Sequence, residues 1–290
     1  MAGEPAGAYY AQPSSMDQVA PPVPEVIGLL AGSGRLPFTL ARAARARGLR
    51  VIAAAHHGET DPALEHEVDA CTWVRLGQLG RIAKALREGG ASRAILAGGL
   101  RKAGWFSGAR PDLAALKLVA ATRARGDDGL LRAIAGWFAG QGLEIVAPHG
   151  LLDGCFAEAG LVAGRPPTPA ELSDAAEGVR VARILGAADV GQTVAVRDGA
   201  VLAVEAMEGT DACIRRAGTL AEHAVIVKSS KPGQDRRFDL PAIGPATIAV
   251  MAEAGAGLLA VEAGTTIVLD REELRAAAGK ARVSVVGLRG

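Results

Sequence analysis

The feature that most constrains the fold of this chain is a strand–loop–helix–strand pattern that begins at residue 26. An apolar run from Val26 to Ala31 leads through Gly32-Ser33-Gly34 into a helix-like segment, Leu36 to Arg47, and a second apolar run, Val51 to Ala55. Two short apolar strands joined by one helix are typical of a parallel pair with a crossover connection. The pattern therefore predicts a parallel sheet.

The alternation of helix and strand patterns continues to about residue 146. Further helices are predicted over Leu79–Arg87, Asp112–Arg123 and Gly129–Ala139, and further strands over Arg93–Ala97 and Leu143–Val146. Such alternation predicts an α/β fold, with a Rossmann-like N-terminal domain of mainly parallel sheet over residues 26–160. Residues 1–25 lack both apolar periodicity and the features of a secretory signal, and they are expected to form a flexible tail.

A proline-rich stretch, Arg165-Pro166-Pro167-Thr168-Pro169, interrupts the alternation. Consecutive prolines break helices and strands and favour an extended connection, so a linker is expected over residues 161–169. Residues 170–290 again mix helix and strand patterns, including a hairpin around Asp198-Gly199. This half predicts a second α/β domain that is less regular than the first.

Composition narrows the function classes. Hydrophobic residues make up 49% of the 290 positions and charged residues 22%, which is enough apolar surface for a packed core. Lys and Arg number 32 against 31 Asp and Glu, a net charge of +1, so no nucleic-acid partner is expected and any phosphate must be held locally. No uninterrupted apolar stretch reaches the length of about 18 residues that a membrane helix needs.

Cysteine usage indicates the compartment. Cys71, Cys155 and Cys213 are odd in number, widely spaced and without a C-x-x-C pair. This spacing argues against a disulfide framework and against a cysteine-based zinc site, and it favours a reducing, cytoplasmic location.

The first candidate site is Gly32-Ser33-Gly34, between a strand and a helix. Backbone N–H groups there can hold a phosphate, although a merely tight strand–helix turn would have the same spacing. Pro37 stands where a dinucleotide fingerprint has its third glycine, and His56-His57 stand where an acidic residue would bind a ribose. These departures disfavour a nicotinamide-dependent oxidoreductase.

Asp127-Asp128 form a second candidate before an apolar helix. One of the two aspartates could simply cap that helix. Adjacent carboxylates in a loop could also bind a divalent cation or position a substrate.

The densest group of polar residues lies in the second half. Glu205, Glu208 and Asp211 follow a predicted strand around a glycine turn, and four cations, Lys228, Lys231, Arg236 and Arg237, lie some 25 residues later in a loop that ends at Pro241. Carboxylates with lysine and arginine suit a magnesium-assisted attack on a diphosphate, because the cations neutralise its oxygens while a carboxylate orients water. The competing interpretation is a solvated charged loop.

At these residues the chain resembles the LpxI-type UDP-2,3-diacylglucosamine pyrophosphatases of lipid A synthesis. The Glu-Gly-Thr-Asp and Asp-Leu-Pro motifs are together specific, whereas the glycine loop is not. The matching blocks run in the family's order from about Val26 onward: Gly28–Pro37, Arg125–Asp128, Gly191-Gln192, Val204–Asp211, Lys231–Gln234 and Phe238–Gly244.

The resemblance implies hydrolysis of UDP-2,3-diacylglucosamine at its α-phosphorus to UMP and 2,3-diacylglucosamine 1-phosphate, with Mg²⁺ as cofactor. It implies two domains with the substrate in the crevice between them, a catalytic C-terminal domain over residues 170–290, and an essential aspartate at Asp239. It leaves peripheral association with the membrane and a homodimer open.

Motifs and resemblance together give a set of predicted site residues. Asp239, Asp211 and Lys231 are predicted to be catalytic, and Asp239 and Glu205 to ligate the metal. The predicted substrate-binding residues are Gly32, Ser33, Gly34, Asp128, Glu208, Thr210, Lys228, Gln234 and Arg237.

A second hypothesis from another class is a non-catalytic protein that binds a nucleotide sugar or lipid precursor. The carboxylates at Glu205, Glu208, Asp211 and Asp239 favour the enzyme, because a site that only binds a diphosphate would contain cations rather than so many negative side chains.

Overall fold

The computed structural model describes residues 25–99, 110–122, 126–231, 235, 237–238 and 240–289. It contains two sheets of five and six strands and a separate two-stranded ladder. The α/β class expected from the sequence is confirmed, with a parallel sheet in the first half and a second sheet-containing domain after it.

The first sheet is parallel throughout, in the order β3-β2-β1-β4-β5. The strand β3 escaped the sequence analysis because it is an edge strand whose residues are only partly buried, which weakens its apolar signal. The strands are β1 (Val26–Ala31), β2 (Arg50–His56), β3 (Ala70–Val74), β4 (Arg93–Ala97) and β5 (Glu144–Ile145).

The helices of the first half lie close to their predicted positions. In α2, Leu79, Ile82 and Leu86 are buried at helical spacing, which places one apolar face against the sheet. The helices are α1 (Leu36–Ala46), α2 (Leu79–Glu88), α3 (Leu113–Thr122) and α4 (Gly126–Gly140), with 3-10 turns at Pro62–Glu67 and Pro148–Leu151.

The second sheet is mixed, in the order β6-β13-β11-β9-β7-β8. The three central strands β9, β11 and β13 are parallel, while β6 and β7 run antiparallel to their neighbours. A short ladder of β10 and β12 stands apart. The strands are β6 (Gly160–Ala163), β7 (Thr193–Arg197), β8 (Ala200–Val204), β9 (Val225–Lys228), β10 (Ala242–Ile243), β11 (Leu258–Glu262), β12 (Ile267–Val268) and β13 (Ser284–Leu288).

Among the described residues, four helices accompany this sheet: α5 (Pro169–Ala187), α6 (Thr210–Gly218), α7 (Pro245–Glu253) and α8 (Arg271–Ala281). The start of α5 is defined by a capping box, in which the Thr168 hydroxyl accepts from the Glu171 N–H and the Glu171 carboxylate accepts from the Thr168 N–H. Arg165 adds a two-pronged ion pair to the same carboxylate, with distances of 2.6 and 2.8 Å.

Strand pairing locates the change from one sheet to the other. Residues 161–163, which were assigned to the linker, lie in β6, and β6 pairs with β13 of the second sheet. The proline-rich stretch follows β6, and its last residue, Pro169, is the first residue of α5. The chain therefore leaves the first sheet after β5 and enters the second sheet with β6. The domain limits given above stay predictions.

The two halves share a hydrophobic core. Leu40 and Leu152 of the first half and Ile267 of the second are almost fully buried in one cluster. Polar contacts accompany it: a guanidinium nitrogen of Arg271 donates to the carbonyl of Phe156 at 2.8 Å. The halves are therefore joined by a packed interface as well as by the chain.

Cys71, Cys155 and Cys213 are all free thiols, and burial raises the pKa of the Cys213 thiol to about 12.

Within the part of the chain that the structure describes, no helix has both the length and the apolar character needed to cross a bilayer.

Candidate functional site

An apolar cavity of about 330 Å³ opens at the carboxyl edge of the first sheet. The loops after β1, β3 and β4 and the end of β2 meet there, as expected for parallel strands, whose carboxyl ends lie at one edge. Helices α2, α3 and α4 form its walls, and Lys231 and Phe238 reach it from the second half. The apolar residues that line it include Leu30, Leu76, Ile82, Leu96, Leu118, Val119, Leu131, Ile134 and Phe138.

The glycine loop after β1 is packed tightly against the loop after β4. The Gly32 N–H donates to the Ala97 carbonyl at 2.7 Å, and the Ser33 N–H donates to the Gly99 carbonyl at 2.8 Å. A Cβ at Gly32 would lie 2.4 Å from the Gly99 carbonyl oxygen, so a side chain is excluded there. The fold thus uses two of the N–H groups that were predicted to hold phosphate.

The members of this glycine loop face two different spaces. Gly32 lines the apolar cavity. Gly34, with φ of 88°, lines a separate open cleft together with Arg35, His57 and Trp73. The anion-binding role of the loop stays a prediction.

A polar cluster of Glu205, Thr210 and Lys228 lies at one edge of the second sheet. Strands β8 and β9 run in the same direction, so Glu205, just after β8, and Lys228, at the end of β9, are brought to the same edge. The Thr210 hydroxyl donates to Glu205 Oε1 at 3.1 Å, and Lys228 Nζ donates to the Thr210 hydroxyl at 3.4 Å. These three predicted residues form one hydrogen-bonded group.

The Glu205 carboxylate is the buried member of the cluster, with 9% of its surface exposed. Its second oxygen accepts from the Gln192 N–H at 3.4 Å. Gly191 permits this approach, because a Cβ there would lie 2.1 Å from the Glu205 carbonyl oxygen. The Gly191-Gln192 pair therefore helps to hold the Glu205 carboxylate in place.

Lys231 connects the second half to the apolar cavity. Its side chain is 14% exposed, and its Nζ lies 2.6 Å from a carboxylate oxygen of Asp189. A cation is thereby held beside a mainly apolar space. This arrangement suits a ligand with a negatively charged group attached to an apolar body.

Three other predicted residues lie outside the polar cluster. Glu208 is exposed and pairs with Arg216 at 2.7 Å. Asp211 is exposed on the first turn of α6. Arg237 pairs with Asp235 at 2.6 Å, and this guanidinium holds the pKa of the Asp235 carboxyl below its usual value.

Three predicted residues cannot be located at the side-chain level. Asp128 falls within α4, but its side chain lies outside the described part of the chain. Gln234 and Asp239 are not among the described residues. Their roles stay predictions.

The potential ligand atoms of the polar cluster are oxygens, the type that binds a hard cation. Glu205 offers carboxylate oxygens and Thr210 a hydroxyl, the oxygen chemistry that Mg²⁺ prefers. Among the described residues, however, no three acidic, histidine or cysteine side chains come close enough together to hold a metal by themselves. Magnesium in phosphate-transfer sites is commonly bound by one or two carboxylates together with the phosphates of the substrate, so the donor set fits that mode.

The sequence analysis missed three residues of the site. Asp189 holds Lys231, and Phe238 and His56 line the cavity. His56 gave a signal, because it stands at the end of β2 where a ligand-binding loop is expected. Asp189 gave none, since a lone aspartate after a helix is usually a surface residue.

Comparison with known proteins matches both halves of the chain. A model of the LpxI N-terminal domain matches residues 26–155, and one of the LpxI C-terminal domain matches residues 158–286. The chain is similar to the UDP-2,3-diacylglucosamine pyrophosphatase LpxI of Caulobacter vibrioides, with 38% identity over 275 residues that cover 90% of this chain and 97% of that protein.

Proposed function

The chain belongs to the LpxI family, and we propose that it hydrolyses UDP-2,3-diacylglucosamine to UMP and 2,3-diacylglucosamine 1-phosphate in lipid A synthesis. The observation that carries the proposal is the apolar cavity with Lys231 beside it. The apolar walls suit acyl chains, and the ammonium group suits a phosphate next to them.

In the proposed reaction, water attacks the α-phosphorus of the diphosphate. A new P–O bond forms to the water oxygen, and the bond from the α-phosphorus to the bridging oxygen breaks. The acylated sugar leaves as its 1-phosphate, and the proton lost by water passes to solvent. Asp239, predicted as the essential aspartate, would orient the attacking water.

The cations of the site would offset the charge of the diphosphate. Lys231 is held by Asp189 at the cavity, and Lys228 is held by Thr210 and by the Ala242 carbonyl at 3.3 Å. Ammonium groups fixed in this way stabilise negative oxygens with little reorganisation. We assign both lysines to phosphate binding, and Lys231 also to the charge that develops in the transition state.

We further propose that Mg²⁺ is the cofactor and that Glu205 and Asp239 hold it. When bound, the ion would neutralise phosphate oxygens and raise the reactivity of the phosphorus. The support is the buried carboxylate of Glu205 beside Thr210 at the edge where Lys228 lies.

The setting of the reaction is also a proposal. Free thiols at all three cysteines support a reducing, cytoplasmic location. Leu113 and Leu116 of α3 are 77% and 51% exposed on the helix whose other residues line the cavity, which supports peripheral contact with a bilayer that supplies the lipid. A homodimer stays open.

The test is hydrolysis of UDP-2,3-diacylglucosamine by the purified full-length protein. We expect release of UMP and of 2,3-diacylglucosamine 1-phosphate, measured by chromatography and mass spectrometry, with added Mg²⁺ and none in EDTA. Binding of intact substrate without turnover would instead favour the non-catalytic binding protein. Full turnover in EDTA would contradict the cofactor but not the reaction.

A further inference from the structure

His56 is a polar side chain in the wall of the apolar cavity that the proposed mechanism leaves without a role. It ends β2 and is only 4% exposed. The cavity is lined mainly by leucine, isoleucine, valine and phenylalanine side chains, and among the described lining residues only His56 and Lys231 carry a polar side chain that can bond to a ligand. Lys231 is a cation and can only donate.

The hydrogen bonds of His56 define which of its nitrogens is available. Its Nδ1 lies 2.8 Å from the Ala31 carbonyl oxygen, which can only accept, so Nδ1 carries the proton. The Thr60 hydroxyl accepts from the His56 backbone N–H at 2.9 Å and donates to the same Ala31 oxygen at 2.6 Å. The ring is therefore held in one orientation, with a lone pair on Nε2.

The lone pair on Nε2 has no donor among the described residues. Nε2 is not among the fully buried side-chain atoms that lack a partner, so it keeps some accessible surface, and His56 is part of the cavity wall. Burial also lowers the pKa of His56, which favours the neutral imidazole, the form in which Nε2 is an acceptor. A ligand in the cavity can supply the missing donor.

We propose that His56 Nε2 accepts a hydrogen bond from the acylated sugar of the substrate, so that His56 selects a ligand with an N–H or O–H group within its apolar half. This inference rests on the proposed function. The substrate offers such a donor in the N–H of its amide-linked chain and in the hydroxyls of its sugar ring. An ammonium at Lys231 and an acceptor at His56 then bind different groups of one molecule.

The first experiment compares three variants of the full chain. His56→Phe removes the acceptor and keeps an aromatic ring, His56→Gln keeps an acceptor, and His57→Phe alters the exposed neighbour, which lines the other cleft. Binding of 2,3-diacylglucosamine 1-phosphate is measured by calorimetry, and kcat and KM are measured with the substrate.

We expect His56→Phe to weaken binding by about 10- to 100-fold and to raise KM by more than it lowers kcat, because a hydrogen bond to a buried group is lost. His56→Gln should bind within a few-fold of wild type, and so should His57→Phe. Wild-type affinity in a folded His56→Phe protein would overturn the proposal. If His56→Phe does not fold, weak binding by a folded His56→Gln would also overturn it, since that variant keeps an acceptor.

A second experiment distinguishes the two donors. One ligand analogue replaces the amide by an ester, which removes the N–H, and another lacks the sugar 4-hydroxyl and a third the 6-hydroxyl. The analogue that lacks the relevant donor should bind wild type about as weakly as the intact ligand binds His56→Phe, and it should lose little further affinity in that variant. If, for all three analogues, the loss of affinity caused by the analogue and the loss caused by His56→Phe simply add, the proposal is overturned.

These readouts separate this inference from the proposed function. Hydrolysis with no effect of His56→Phe on binding would contradict the role of His56 alone. The opposite result is also informative. If wild type does not hydrolyse the substrate, but His56→Phe and one ligand analogue weaken lipid binding in a coupled way, the proposed reaction is contradicted and the role of His56 is supported.

Discussion

Asp239 is the residue on which the proposed chemistry depends most. Truncation in Asp239→Ala removes a carboxylate that acts on the attacking water or the metal, so kcat should fall by roughly 10²-fold or more while lipid binding persists. Steady-state kinetics and calorimetry measure the two effects. Asp153→Ala, at a largely exposed side chain, is the matched control. Turnover within a few-fold of wild type in a folded Asp239→Ala protein would remove Asp239 from the catalytic set.

The burial of His56 also leads to a prediction about stability. Burial lowers its pKa in the folded protein, although the Ala31 carbonyl and Glu59 act in the opposite direction. The unfolded chain then binds the proton more readily, so the free energy of unfolding should fall as the pH drops below about 6.5, the ordinary histidine pKa. His56→Gln should reduce this slope between pH 7 and 5 in denaturant titrations, and His57→Gln should not. An unchanged slope in His56→Gln would contradict the prediction.

The sequence indicated which residues belong to the site better than it indicated which of them contact each other. Glu205, Thr210 and Lys228 stand close to the ends of recognisable elements, so topology brings them together. Asp189 and Lys231 are 42 residues apart, and no local pattern indicates that they pair. The cavity itself was not predicted, because its walls consist of apolar residues that look like ordinary core positions in a sequence.

At the scale of elements, the start of α5 is the best test of local interactions. Arg165 and Thr168 together hold the pKa of the Glu171 carboxyl at about 2, with the Arg165 hydrogen bond as the largest cause. Thr168→Ala should lower the free energy of unfolding at pH 7 by about 1 kcal/mol, the usual effect of a lost cap. Glu171→Ala should lower it by more, on the order of 2–3 kcal/mol.

The Glu171 effect should depend on pH with a definite sign. A carboxyl whose pKa is lowered by folding stabilises the fold above its unfolded pKa of about 4.5, and this contribution is lost as the pH falls towards 2. The difference between wild type and Glu171→Ala should therefore shrink over that range in urea titrations. Ser173→Ala, at an exposed position of α5, is the control and should leave stability nearly unchanged at every pH. A difference that grows with acidity would contradict this account.

Strong apolar periodicity decided which elements could be predicted. β1 and β4 were predicted with the bounds that the structure has, because each is a short, mainly apolar run between turn signals. β6 was missed for two reasons. It lies just before the prolines on which the linker prediction was based, and only two of its four residues are buried. Its place beside β13 depends on a pairing across more than a hundred residues, which no local signal contains.

At the scale of the whole molecule, the shared core predicts cooperative unfolding. Leu152 and Ile267 are fully buried in one cluster that draws residues from both halves. Leu152→Ala or Ile267→Ala should lower the free energy of unfolding by about 2–5 kcal/mol, and wild type and both variants should each show one thermal transition. Near- and far-ultraviolet circular dichroism would follow it, with Leu220→Ala, which is 61% exposed, as the control. Two separate transitions would show that the halves unfold independently.

The contact between the loops after β1 and β4 has a consequence for the order of events in folding. Gly32 and Ser33 donate to carbonyls at Ala97 and Gly99, and a Cβ at Gly98, in turn, would lie 2.2 Å from the Ser33 carbonyl oxygen. The β1–α1–β2 unit can form early from local contacts, but this part of the ligand-binding edge takes its shape only when β4 docks, and closing so long a loop is slow. In refolding experiments, recovery of ligand binding should therefore lag behind the recovery of helix signal.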